Sequence, residues 1–273
     1  MRFRPDLAAR SESSYRARTT RGVTWHQSLA VVDGLGVVVK RFPRVDQTQT
    51  DGRNYVLVHG LGVYSHYFEW LAAALARTAD VWLIDLPGYG SAPKPSRDVS
   101  IVDHASVLAA VIESADVAAP VLVGHSMGCQ VVTEIAARFP ELTDSLVLLS
   151  PVVNPARRTA WKQFVNLVQD LFREPPRAAL FGLYSYFLTG KSLYYLKQVP
   201  HMIEYRIEDR LPLVEARTLV AIGERDPLAP IEWASLAASI VPRGDLTVVP
   251  GAHVIMYSAP VILADRIREH VTA

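Results

Sequence analysis

Pro120-Val121-Leu122-Val123-Gly124-His125-Ser126-Met127-Gly128-Cys129 decides how the rest of the chain is read. Val121 to Val123 is an apolar run of the kind that forms a buried strand. Directly after it, Val131, Val132, Ile135, Ala136 and Phe139 recur at helical spacing. Between strand and helix stands Gly-His-Ser-Met-Gly, which fits Gly-x-Ser-x-Gly. In that pattern a serine occupies a sharp strand-to-helix turn, with its hydroxyl exposed above the sheet edge. The two glycines answer a steric demand. Strand and helix fold back closely around the serine, and a Cβ at 124 or 128 blocks that approach.

Outward from this elbow, strands and helices alternate. Val23 to Val32 and Gly36 to Phe42 read as strands joined by Asp33-Gly34, a hairpin signal between apolar runs. Tyr55 to Val58 is a short apolar strand ending in His59-Gly60-Leu61-Gly62. Tyr67 to Arg77 has helical spacing, and Val81 to Ile84 forms the next strand, closed by Pro87-Gly88-Tyr89-Gly90. Ser100 reads as a helix N-cap with Asp103 completing a capping box, and that helix runs to about Ala115. Beyond the elbow, Leu146 to Leu149, Thr218 to Ile222 and Leu246 to Val249 are strands. Ile231 to Ile240 and Pro260 to His270 are helices. This alternation predicts an α/β fold, a mostly parallel sheet with helices on both faces and an antiparallel hairpin at one edge.

The pattern divides the chain. Residues 1–150 and 213–273 form the α/β core, with 1–21 an irregular, arginine-rich lead-in that has no apolar segment of a secretory signal. Residues 151–212 carry no strand pattern. They are helical in spacing, divided by Pro155, Pro175, Pro176 and Pro200. They are also rich in aromatics: Trp161, Phe164, Phe172, Phe181, Tyr184, Tyr186, Phe187, Tyr194 and Tyr195. This block leaves and re-enters the sheet at strand carboxyl ends, where open α/β sheets bind ligands, so it is expected to be a helical lid.

The totals narrow the function classes. The formal net charge of +1 over 273 residues leaves no electrostatic footprint for nucleic acid. No apolar stretch is long enough to span a bilayer. A single cysteine, Cys129, excludes an intramolecular disulfide and fits a reducing compartment, so a cytoplasmic place is expected. Nothing in the sequence speaks to oligomeric state.

A serine hydroxyl needs a neighbouring base to act as a nucleophile. On a sheet of this kind the partners follow in the order serine, acid, histidine, each after a later strand. Asp226 stands just beyond the strand ending at Ile222, and His253 just beyond the strand ending at Val249. Both therefore belong to the rim that carries Ser126. His253 would accept the Ser126 proton, and Asp226 would hold the imidazole tautomer, with Glu224 the rival acid. Two backbone N–H groups are needed for a developing oxyanion. Met127, directly after the serine, supplies one, and Leu61 or its rival Gly62 supplies the other.

His59-Gly60-Leu61-Gly62, Asp85-Leu86-Pro87-Gly88-Tyr89-Gly90-Ser91, the elbow, Gly223-x-x-Asp226 and Gly251-Ala252-His253 together resemble the α/β-hydrolase superfamily, over about residues 23 to 271. The resemblance implies an eight-stranded sheet, a cap inserted after the sixth strand, and no metal or organic cofactor. Members that open epoxides or remove halides carry aspartate at the elbow, whereas Ser126 resembles that of esterases, lactonases, thioesterases, carbon–carbon bond hydrolases and cofactor-free haloperoxidase-like members. Many of these have a further glycine where this chain has Cys129.

The expected activity is hydrolysis of an ester-like bond (carboxylic ester, lactone or thioester) in a hydrophobic small molecule, through an acyl-enzyme. Two alternatives stand beside it. One is a carbon–carbon bond hydrolase or haloperoxidase-like enzyme with the same three residues. The other is a small-molecule receptor on a hydrolase scaffold. Other histidines are read as structural. His59 braces its loop, His125 points away from the serine's partner, and His66, His104 and His201 lack metal-ligand spacing. His201, as a lid residue, is a possible substrate contact. Asp85 is read as bracing a loop and Cys129 as a core residue.

Overall fold

The computed structural model describes residues 18–115, 117–155 and 191–272, together with Arg158, Arg173, Pro176, Leu180 and Ser185. Among the described residues nine strands form one sheet: β1 (Arg18–Thr20), β2 (Val23–Val32), β3 (Leu35–Phe42), β4 (Asn54–Val58), β5 (Asp80–Asp85), β6 (Val121–His125), β7 (Ser145–Leu149), β8 (Arg217–Gly223) and β9 (Gly244–Val249). Their order is β1-β2-β3-β5-β4-β6-β7-β8-β9. From β5 to β9 every pairing is parallel, and β1 to β3 add the antiparallel edge. The hairpin between β2 and β3 turns at Asp33 and Gly34, both at positive φ (51° and 73°), which matches the twist of the strands it joins.

The eight strands expected from periodicity are β2 to β9. The ninth, β1, falls in the lead-in that was expected to be irregular. Arg18-Thr19-Thr20 has no apolar alternation to announce it. It is held by side chains instead: Thr20 Oγ1 donates to Glu69 Oε2 at 2.8 Å and accepts from Trp25 Nε1 at 3.1 Å.

Strand side chains alternate between faces, and two cores result. Val56, Val58, Leu122, Leu146 and Leu148 pack on one face with α2 (Ile101–Ser114) and α3 (Met127–Arg138). Tyr55, Leu57, Val121, Val123, Val147 and Leu149 pack on the other with α1 (Glu69–Leu75) and the helix Pro260–Thr272. The expected helix at 67–77 is split, with a 3₁₀ turn over Ser65–Phe68 leading into α1. The capping box opens α2 as expected: Asp103 N donates to Ser100 Oγ at 3.1 Å, and Ser100 N donates to Asp103 Oδ2 at 2.8 Å.

Of the expected lid, Trp161, Phe164, Phe172, Phe181, Tyr184, Tyr186 and Phe187 lie outside the described residues. Its last part is a helix, Ser192–Glu204, which runs through Pro200 instead of being divided there. Proline removes one helical hydrogen bond. Anchors on both sides of it hold the helix. Lys191 Nζ donates to the carbonyls of Gly90 and Ala92 (2.8 and 2.9 Å), and Tyr194 Oη donates to Pro87 O (2.8 Å). Beyond the proline, Met202 O accepts from Gln130 Nε2 at 2.8 Å.

Candidate active site

Ser126 stands between β6 and α3 at φ 54°, ψ −119°. A non-glycine residue adopts such a backbone only where its surroundings enforce it. Ser126 N donates to Leu149 O on the neighbouring strand at 3.0 Å, and Cys129 N donates to Ser126 O at 3.0 Å. The glycines behave as the motif demands. A Cβ on Gly124 would lie 2.5 Å from Gly128 O, and one on Gly128 would strike the carbonyl of Val58. From 121 to 136 every residue is buried except Ser126, which is partly exposed. Cys129 is a core residue, its Sγ 3.2 Å from Gly124 O and 3.3 Å from Leu149 O. Burial pushes its thiol well above the ordinary range, so it stays protonated.

The loop after β8 carries Asp226, the expected acid. Asp226 N donates to Gly223 O at 3.2 Å, a tight turn that aims the side chain inward. Its Oδ1 accepts from Leu228 N (2.8 Å) and Ala229 N (3.0 Å), and its Oδ2 meets His253 Nδ1 at 2.9 Å. Burial alone would raise this carboxyl. The adjacent His253 imidazole and the donated hydrogen bonds outweigh burial and hold it below the usual carboxylate range. An ionised carboxylate only accepts, which assigns the proton to His253 Nδ1 and leaves Nε2 as the basic nitrogen. Glu224, the rival acid, is half exposed and faces the Arg225 guanidinium at 3.6 Å. The acid and histidine loops are also joined through backbone, Arg225 N to Gly251 O at 3.0 Å.

The third loop follows β4. A Cβ on Gly60 would sit 2.9 Å from Ser126 Cβ, so this loop lies directly against the serine. Gly60 N is already engaged with Tyr67 Oη at 3.0 Å. His59 Nδ1 donates to Gly60 O at 2.8 Å, and His59 Nε2 accepts from Leu86 N at 3.0 Å. In a trans peptide the N–H opposes the carbonyl, so pinning Gly60 O directs the Leu61 N–H away from His59. Full burial lowers the His59 pKa to about 4, which keeps the ring neutral in this bracing role. Met127 opens α3, and its N–H is one of the donors that a helix start leaves free of intrahelical partners.

His125 differs from its expectation. Strand alternation puts it on the face that carries Tyr67, Phe68 and Ile255, and the His253 loop crosses that same face. Its ring lies 4.7 Å from the His253 ring, and its Nε2 donates to His253 O at 3.1 Å. Its Nδ1 meets Tyr67 Oη at 2.8 Å. Burial first, and the neighbouring His253 second, hold its pKa well below the ordinary value. Strand alternation gives the face of His125, but not the packing of Tyr67 or the return of the histidine loop over it.

The remaining candidates have structural partners. Asp85 accepts from Ser65 N and Ser91 N, both at 2.9 Å, and so ties two loops together. His66 meets Glu69 at 2.9 Å, His104 meets Gln198 at 3.1 Å, and His201 meets Asp98 at 2.8 Å. Among the described residues no cluster of histidine, cysteine and carboxylates could hold a metal ion, and no helix is long and apolar enough to cross a membrane. Sequence reading missed Tyr89. Its ring stacks on Tyr195 at 5.1 Å, and its hydroxyl reaches Met127 Sδ at 3.7 Å, joining the Ser192–Glu204 helix to the elbow.

Comparison with known proteins bears on the same region. A family model described as the alpha/beta hydrolase fold matches residues 56–212. An uncharacterized protein of Mycobacterium tuberculosis, Rv2715, is 28% identical over 239 residues, 84% of this chain and 67% of that protein. The pimeloyl-[acyl-carrier protein] methyl ester esterase of Photobacterium profundum is 32% identical over 127 residues, 46% of this chain and 48% of its own length. Among solved structures, a serine hydrolase involved in carbazole degradation superposes with a TM-score of 0.75 at 20% identity, covering 91% of this chain and 99% of that one. At that identity the likeness is one of fold.

Proposed function

The chain belongs to the alpha/beta hydrolase family, and on that premise we propose that it cleaves an ester-like bond of a hydrophobic small molecule through Ser126, His253 and Asp226. One observation carries the reading. A partly exposed serine, forced to positive φ, shares a sheet rim with a histidine whose Nδ1 is engaged by a buried carboxylate.

The chemistry follows from these positions. His253 Nε2 takes the Ser126 hydroxyl proton as Oγ bonds to the substrate carbonyl carbon. The carbonyl electron pair moves to oxygen, where the N–H groups of Met127 and Leu61 stabilise it. Collapse of this intermediate breaks the ester C–O bond, and His253 returns the proton to the leaving alkoxide. Water then attacks the acyl-serine by the same proton path, releasing the acid and free Ser126. Asp226 stabilises the imidazolium formed at each stage.

The curated esterase relative supports the ester reading within the part of the chain it matches. The aromatic composition of 151–212 supports a hydrophobic substrate, since small-molecule pockets are mostly apolar with few placed polar groups. A panel of p-nitrophenyl esters of increasing acyl length, lactones, thioesters and a vinylogous diketone tests both. We expect turnover of esters that rises with acyl length and is absent in Ser126→Ala. Turnover confined to the diketone would replace ester cleavage by carbon–carbon cleavage.

A further inference from the structure

Gly60 N–H, Tyr67 Oη, His125 and the carbonyl of His253 form one continuous buried chain, with contacts of 3.0, 2.8 and 3.1 Å. Its proton arrangement has a single solution. A carbonyl only accepts, so His125 Nε2 must carry the proton and donate to His253 O. The neutral ring then leaves Nδ1 as an acceptor, and the Tyr67 hydroxyl must donate to it. The tyrosine oxygen is left to accept from Gly60 N–H. Every polar group in the chain is satisfied, and none has a spare proton.

The ends of this chain matter more than its middle. Gly60 belongs to the loop that presents the Leu61 N–H, and His253 is the base. We propose that Tyr67 and His125 are positioning residues that hold the oxyanion loop and the His253 loop in one frame around Ser126. This rests on the reading of Ser126 and His253 given above. Their hydrogen bonds to the two loops end on backbone, Gly60 N and His253 O, and not on a reacting atom. Tyr67 is buried against Phe68 at a ring distance of 4.6 Å, and its ring meets His125 edge-on at 5.4 Å. The rings fill space, while the hydroxyl and the two imidazole nitrogens set direction. The elbow backbone pins Ser126 from the other side through Leu149 O. The chain is therefore the polar tie that fixes the base and the oxyanion donor relative to the nucleophile.

Tyr67→Phe separates packing from direction, because it deletes one oxygen and leaves the ring. It strands the Gly60 N–H and His125 Nδ1. A displacement of about 1 Å at a reacting group costs about 10²-fold in rate, so kcat on an activated ester is expected to fall by about that factor. KM should stay within about twofold. Labelling of Ser126 by a fluorophosphonate should slow in parallel, since it uses the same base and oxyanion site. His125→Gln keeps an amide N–H in place of Nε2–H and should retain more activity than His125→Leu, which removes both ends of the relay.

The tests separate. If the wild-type protein is not labelled, or Ser126→Ala is labelled equally, the hydrolase reading itself fails and the positioning role falls with it. If wild type is labelled at Ser126 and folded Tyr67→Phe is labelled and turns over at the wild-type rate, the positioning role alone is overturned. Equal kcat in His125→Gln and His125→Leu, each folded, would overturn it as well.

Discussion

Asp226 Oδ2 lies 2.9 Å from His253 Nδ1, while the neighbouring acid, Glu224, points into solvent beside Arg225. Two carboxylates two residues apart at one strand end are thus sorted by a turn. Asp226→Asn should lower kcat by about 10⁴, as an amide favours the wrong imidazole tautomer. Glu224→Gln should leave kcat unchanged. Steady-state kinetics on one activated ester reads both, and a large loss in Glu224→Gln with activity retained in Asp226→Asn would exchange their roles.

Gly128 has no room for a side chain, because a Cβ there would meet the backbone carbonyls of Val58 and His59. Backbone cannot swing aside as a side chain can. Gly128→Ala should destabilise the fold by about 1–3 kcal/mol, the usual penalty of overpacking. It should also displace Ser126. Urea unfolding with phosphonate labelling of the folded fraction checks it, and wild-type values in both would contradict the steric account of the elbow.

Stability should fall on mild acidification. His59 and His104 are fully buried, and burial lowers each from 6.5 to about 4. Between those values the unfolded chain binds protons that the folded rings refuse. The contribution is complete above pH 6.5 and is lost as pH falls towards 4, by about 3 kcal/mol per ring. His125, lowered in the same direction, adds to the loss. Asp226 is depressed below the carboxylate range, so its contribution disappears only at lower pH still. The urea midpoint should decline steadily from pH 7 to pH 4.5, and a flat midpoint over that window would show that these rings take up protons in the folded state.

The sheet and the elbow were legible because both are periodic or local. Apolar runs mark β4 to β8, and Gly124 and Gly128 announce the close approach of strand and helix. Asp226 and His253 were expected on one rim because each follows a strand, and their side chains meet at 2.9 Å. What sequence could not carry was long-range. Tyr67 and His125 are 58 positions apart, and only the fold places them in hydrogen-bond contact. β1 lacks a pattern because polar side chains hold it. Pro200 stays inside a helix because anchors outside its own turn outweigh one lost hydrogen bond. The sequence favours Asp226 over Glu224, but the contact of Asp226 with His253 Nδ1, 27 positions on, is supplied by the fold.

Ser126 Oγ is the proposed nucleophile and the atom expected to carry the acyl group. Intact-mass measurement after reaction with a fluorophosphonate, followed by peptide mapping, tests it most directly. One phosphonyl adduct is expected, located on Ser126, with turnover of an activated ester lost in step, and neither adduct nor turnover in Ser126→Ala. An adduct on another residue, or wild-type ester turnover by folded Ser126→Ala, would contradict it.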